Sequence, residues 1–233
     1  MKKLSGFALL RQRNYCWGPG NDCQAWGDKG LTQSSQSRLF PNSSPRERHQ
    51  NTRRKHLLKR EVHLNFTSMT DLKVTLLQSV IEWENPTANL QHYAQMMDQI
   101  NGITELIILQ EMFTTGFTMD HYSNAEGMDG TGIRWLKEQA AKRNVVITGS
   151  LVIEEAGNFY NRLIWMRPDG TYQTYNKRHL FAMAGEHMHY VAGEQRLVVD
   201  YKGWRICPMV CYDLRFPVWA SNIDAYDLLI YTA

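Results

Sequence analysis

From Leu72 onward the sequence predicts an α/β layered domain, and three observations carry that expectation. Short continuous apolar runs recur along the chain; helix-length amphipathic stretches separate the first of them; tight turns separate the later ones. LKVTLLQSV (72–80) reads as a buried strand. Asn85 and Pro86 then supply an N-cap and a first-turn proline for a helix with Leu90, Tyr93, Met97 and Ile100 on one face. LIIL (106–109) is a short apolar strand that stops at Glu111. Ile133 to Arg143 reads as a second helix and NVVITGSLVI (144–153) as a third strand. A hairpin turns near Glu155-Ala156-Gly157-Asn158, and its strands FYNRLIWMR and TYQTYN are joined by Pro168-Asp169-Gly170. RLVVDY, WRICPMVC and the terminal DLLIYTA complete the set, which is expected to form a mixed sheet covered by helices.

The first 68 residues have a different texture. Thirteen of the 26 Lys+Arg but only four of the 23 Asp+Glu precede Met69, so the net charge of +3 averages two dissimilar pieces. A segment such as TQSSQSRLFPNSSPRERHQNTRRK offers too little apolar area to offset its ordering entropy and is expected to be disordered. Its basic run, Arg53-Arg54-Lys55-His56 to Lys59-Arg60, reads as a solvated charge run, and a nucleic-acid partner is not expected. The abrupt change at Met69 also fits a working start there. Residues 1–68 are thus set apart as a basic, low-order extension, and 69–233 as the folded domain.

Four cysteines, Cys16, Cys23, Cys207 and Cys211, match neither a zinc module nor a disulfide framework, so a reducing cytoplasm is the simplest setting. MKKLSGFALL is interrupted by Arg11 and Arg13 with no cleavage signal after it, and no apolar stretch approaches the roughly 20 residues that span a bilayer. The chain ends inside what reads as a central apolar strand, an edge with no neighbour, so the C-terminus is expected to be incomplete.

Chemistry concentrates at three strand ends. Cys211 lies where WRICPMVC meets a charged Asp213-Leu214-Arg215 turn, Glu111 follows LIIL, and Lys177 follows TYQTYN. Each alone has an ordinary reading: a buried small cysteine like Cys207, a solvated or helix-capping glutamate, a surface lysine. Together they place a carboxylate, an ammonium and a thiol at the strand edge where α/β sheets bind ligands. A thiol of ordinary pKa about 8.5 needs a base to react well at neutral pH, and a carboxylate beside it meets that need.

EMFTTGF around Glu111, NKRHLF around Lys177 and VCYDLRFP around Cys211, three motifs in one order, resemble the Glu-Lys-Cys triad of the nitrilase superfamily of carbon–nitrogen hydrolases. With EWENPTANL, they most resemble its ω-amidase group. The resemblance covers Leu72 to Ala233 and implies a four-layer αββα sandwich, incomplete at the C-terminus, where the family continues with further strands and helices. It implies hydrolysis of the terminal amide of 2-oxoglutaramate or 2-oxosuccinamate, a homodimer, and neither cofactor nor metal. It further implies Glu111 as base and Cys211 as nucleophile, with the Lys177 ammonium and the Tyr212 N–H as oxyanion donors. Glu186 would orient Lys177, with Glu194 as the alternative in that role and a surface position for Glu186 also open. Arg215 is the candidate for a substrate carboxylate or, equally, for a structural ion pair. Phe117 and Phe181 are candidates for the pocket wall or the core. His179, His187 and His189 are too weak a pattern for a metal site. Gln110 stands where the family has a proline before the glutamate, so a looser turn is expected there. Another amidase of the superfamily, acting on an N-carbamoyl or aliphatic amide, is the nearest competing function. A catalytically silent protein with a nucleic-acid-binding tail is the competitor from another class.

Overall fold

A computed structural model describes residues 71–233, and the expectations for the first 68 residues lie outside the described residues. Among the described residues eight strands form two sheets. β1 (Val74–Leu76), β2 (Leu106–Ile108), β3 (Val146–Glu155), β4 (Asn158–Met166) and β5 (Tyr172–Asn176) form one, in that order. β6 (Val199–Tyr201), β7 (Trp204–Val210) and β8 (Leu228–Thr232) form the other. The single mixed sheet expected from the order of strands, helices and turns is therefore corrected to two. Both are mixed: β1, β2 and β3 run parallel and β3, β4 and β5 antiparallel, while β7 pairs antiparallel to β6 and parallel to β8.

Period-2 alternation explains why two layers form. Along β2, Leu106 and Ile108 pack against Val199, Trp204, Ile206 and Ile230 of the second sheet, whereas Ile107 faces the helices. β3 and β4 repeat the split, with Val146 and Trp165 between the sheets and Ile147, Ile164 and Met166 on the helical side. A strand covered on both faces needs an unbroken apolar run, which is what LIIL is. Helix α1 (Pro86–Asp98) contributes Leu90, Tyr93 and Met97, and α3 (Thr131–Arg143) contributes Ile133, Leu136 and Ala140. A four-residue helix, α2 (His121–Asn124), lies between them in the chain. Among the described residues the helices, the five-stranded sheet and the three-stranded sheet stack as three layers.

Start and stop signals behave as their chemistry requires. Asn85 caps α1 by accepting from the Ala88 N–H at 3.2 Å, with Pro86 in the first turn. The β3–β4 hairpin closes through Ala156 (φ 52°) and Gly157 (φ 77°), the left-handed pair of a two-residue turn, with Glu155 paired to Asn158. The first strand is the clear misreading. Instead of a buried strand over 72–80, β1 is a three-residue edge strand whose Leu76 is 61% exposed. Among the described residues its one neighbouring strand is β2, and after the bond from Leu77 N–H to Ile108 C=O the chain turns away. β8 is likewise an edge strand of its sheet.

Candidate active site

Three strands end at one place. Glu111 lies just past β2, Lys177 just past β5, and Cys211 just past β7. At two of these ends the backbone is held in a conformation that L-residues avoid: Met112, next to Glu111, has φ 43°, and Cys211 itself has φ 40°. Such backbone persists only where its surroundings fix it. Ser150 of β3 does so for the first, its hydroxyl accepting from Met112 N–H at 2.9 Å and its carbonyl from Phe113 N–H at 3.2 Å. Asp213 does so for the second, accepting from Val210 N–H at 3.1 Å. Gln110, expected to loosen the turn before Glu111, is instead pinned. Its side-chain oxygen accepts from Tyr93 O–H and Ser79 N–H, each at 2.6 Å, so hydrogen bonds supply the restraint that a proline ring would.

Lys177 is the centre of the cluster and is 1% exposed. Its Nζ donates to Glu111 Oε1 at 2.8 Å and to Glu186 Oε1 and Oε2 at 3.1 and 2.9 Å. Glu186, 0% exposed, sits in a 3₁₀ turn (Glu186–Met188), whereas Glu194 is exposed and takes no part. Burial alone would lower the lysine pKa, but the Glu111 and Glu186 charges outweigh it and hold it above its usual range. Burial raises Glu186, in part against the lysine charge. The Cys211 thiol is pushed up to about 12 by burial first and the Glu111 charge second, with Lys177 opposing. It also shares a hydrogen bond with Glu111. The group is thus one ammonium between two carboxylates, with a neutral thiol beside one of them.

A residue that sequence reasoning missed completes the group. Asn161 of β4 is buried and donates from Nδ2 to Glu111 Oε1 at 2.8 Å and to Glu186 Oε1 at 3.1 Å. Its backbone carbonyl also accepts from the Lys177 backbone N–H at 2.9 Å. A signal for it existed, because Asn161 shares a strand face with Leu163 and Trp165 and is the polar residue in that apolar series.

Around the cysteine the five-residue 3₁₀ turn Cys211–Arg215 is organised by Asp213, which is buried rather than part of a charged surface turn. Its Oδ1 accepts from the His179 backbone N–H at 2.9 Å and lies 2.8 Å from His179 Nδ1; its Oδ2 accepts from Tyr175 O–H at 2.7 Å. Tyr175 in turn accepts from Trp219 Nε1–H at 3.1 Å, so the lysine and cysteine segments are tied together behind the reactive groups. Tyr212 packs its ring against Phe181 at 4.8 Å and Phe216 at 5.4 Å between centroids. Phe117 lies under Lys177, with Nζ 5.1 Å from its ring centre. Arg215 is exposed at the end of the turn. His179 stacks on Phe216 at 3.7 Å, and His189 lies 5.2 Å from His121, ring to ring. Among the described residues no cluster of three or more His, Cys, Asp or Glu has metal-holding geometry.

The carbon–nitrogen hydrolase family model matches residues 73–225. This chain belongs to that family. Within the carbon–nitrogen hydrolases it is 44% identical over 165 residues to the omega-amidase YafV of Escherichia coli K12, covering 71% of this chain and 64% of that protein. The chain therefore spans just under two thirds of that relative's length. It is 27% identical over 149 residues to the 2-oxoglutaramate amidase of Bacillus subtilis, covering 63% of this chain and 58% of the relative. A CN-hydrolase superfamily protein of Xanthomonas campestris, solved with an arsenic adduct in its active site, superposes with a TM-score of 0.68 at 41% identity, covering 71% of this chain and 65% of that one. Among the described residues no helix is long and apolar enough to cross a membrane.

Proposed function

We propose that this carbon–nitrogen hydrolase is an amidase that releases ammonia from the terminal amide of a small 2-oxo acid, 2-oxoglutaramate or 2-oxosuccinamate, through a Cys211 thioester. One observation carries the reading: a fully buried ammonium joins two carboxylates, one of which is hydrogen-bonded to a thiol at a strained strand end. With its pKa near 12 the resting thiol is neutral at physiological pH, so a base must take its proton as the sulfur attacks. Glu111 is that base. The Sγ–carbon bond forms, and the carbonyl oxygen becomes an oxyanion held by the Lys177 ammonium and the Tyr212 N–H. Collapse expels ammonia, which takes the proton back from Glu111 and leaves the thioester. Water then attacks, giving its proton to Glu111, and the released thiolate recovers that proton as the acid departs. Phe117, Phe181 and Tyr212 wall the substrate, and Arg215 meets its carboxylate. A free thiol nucleophile suits the reducing cytoplasm.

The named relatives support the substrate class, since an omega-amidase and a 2-oxoglutaramate amidase are both among them. The test is ammonia release by the full chain from 2-oxoglutaramate, with an N-carbamoyl amine and a simple aliphatic amide alongside. Turnover of the 2-oxo acid amide that disappears in Cys211→Ala is expected. Turnover of the other two substrates alone would move the assignment to another amidase of the family.

A further inference from the structure

Asn161 makes no contact that hydrolysis of an amide requires, yet it is buried against both carboxylates at once. A carboxylate oxygen carries two in-plane lone pairs. On Glu111 Oε1 both are filled, one by Lys177 Nζ at 2.8 Å and one by Asn161 Nδ2 at 2.8 Å. A proton arriving at Glu111 is therefore left one oxygen, Oε2. On Glu186, Oε1 likewise accepts from Asn161 and from Lys177, while Oε2 accepts from Lys177 and from the Phe181 N–H. An amide N–H binds a carboxylate more strongly than a carboxylic acid, and here it ties the two acids together without adding a charge that would compete with Lys177.

We infer that Asn161 is a positioning residue for the base: it occupies Glu111 Oε1, so that the thiol proton of Cys211 passes to Oε2, and it ties Glu111 to Glu186 through one shared donor. The step is a transfer of one proton from Sγ to Oε2, the S–H electron pair remaining on sulfur to form the bond to carbon. The inference rests on the amidase reading for its purpose, but its geometry does not depend on which amide is the substrate. Four titratable groups face Glu111 in this arrangement: Lys177, Glu186, Cys211 and, more remotely, Tyr190.

The experiment follows alkylation of Cys211 by iodoacetamide as a function of pH, read by mass spectrometry on the full chain, in the unaltered protein and in Asn161→Ala and Asn161→Asp. This readout needs no substrate, so it separates failure of the inference from failure of the proposed activity. In the unaltered protein the alkylation rate rises with pH along a profile set by the hydrogen-bonded Cys211–Glu111 pair. Loss of a hydrogen bond to a charged acceptor is expected to move that rise upward by about one pH unit in Asn161→Ala, a roughly tenfold lower rate at its foot. Asn161→Asp keeps the shape but adds a third carboxylate, so the rise moves further in the same direction. Profiles that differ from the unaltered protein only in height would overturn the inference. So would failure of both variants to fold, which would make Asn161 part of the sheet frame instead of a control on the proton.

Discussion

A nucleophile whose thiol is pushed up to about 12 is not a stored thiolate, and its chemistry is inseparable from the carboxylate next to it. Glu111 acts on the thiol in two opposed ways: its charge holds the proton on sulfur, and its lone pair removes that proton during attack. Glu111→Gln should separate them. Turnover is expected to fall by roughly 10²–10⁴ with the base gone. Alkylation of Cys211 at neutral pH should fall as well, but the alkaline rise that reports free thiolate should move below about 12, because one of the causes raising it has been removed. A parallel titration of alkylation rate and ammonia release reads both effects. An unmoved alkaline rise would mean that burial alone sets the thiol, and the pairing would have to be abandoned.

Strand ends place these groups, and two backbone contacts set how well. A Cβ added at Gly193 would come within 2.1 Å of the Asn176 carbonyl oxygen, while Gly193 N–H donates to the Lys177 carbonyl at 2.9 Å. Gly193→Ala must therefore push against β5 beside its lysine, and both the melting temperature and turnover are expected to drop. A melting temperature equal to that of the unaltered protein would show that the strand yields freely. Asp213→Asn acts from the other side by replacing an acceptor that four donors share; a loss of about 1–3 kcal/mol in urea unfolding is expected. These elements also show what the sequence could disclose. Asn85 with Pro86, the Ala156–Gly157 turn and the apolar runs of β2, β3 and β7 were readable because local chemistry decides them. β1 was misread because a run such as LKVTLLQSV does not reveal whether it has one neighbour or two. Glu111, Lys177, Cys211 and Glu186 were legible through motif order. Asn161 showed only as a polar residue in an apolar strand face, and the buried role of Asp213 did not show at all, since the partners of each come from segments distant in the chain.

At the scale of the whole domain, the two sheets enclose a charge imbalance, and stability should register it. Glu111 and Glu186 face a single Lys177 in a buried site, so the fold carries one more acid than base there. The raised pKa of Glu186 fixes the sign. A carboxyl whose folded value lies above its unfolded value contributes stability fully below the unfolded value, near 4.5, and loses it as pH rises through the folded one. At neutral pH its ionised form therefore works against folding, whereas Lys177, raised in its turn, favours folding until the pH climbs past 10.5. Removing the lysine should be costly: Lys177→Met leaves two buried carboxylates facing each other, and about 3–5 kcal/mol is expected to be lost at pH 7. Removing the second acid should not be. Glu186→Gln leaves Lys177 and Glu111 as a matched pair, so its stability at pH 7 should stay within about 1 kcal/mol of the unaltered protein while turnover falls. Urea midpoints followed upward from pH 4.5 discriminate further, because the unaltered protein should lose stability as Glu186 ionises and Glu186→Gln should lack that slope. If both proteins share one pH dependence, Glu186 is not the acid that the fold strains to keep charged, and the second carboxylate serves only to place the lysine.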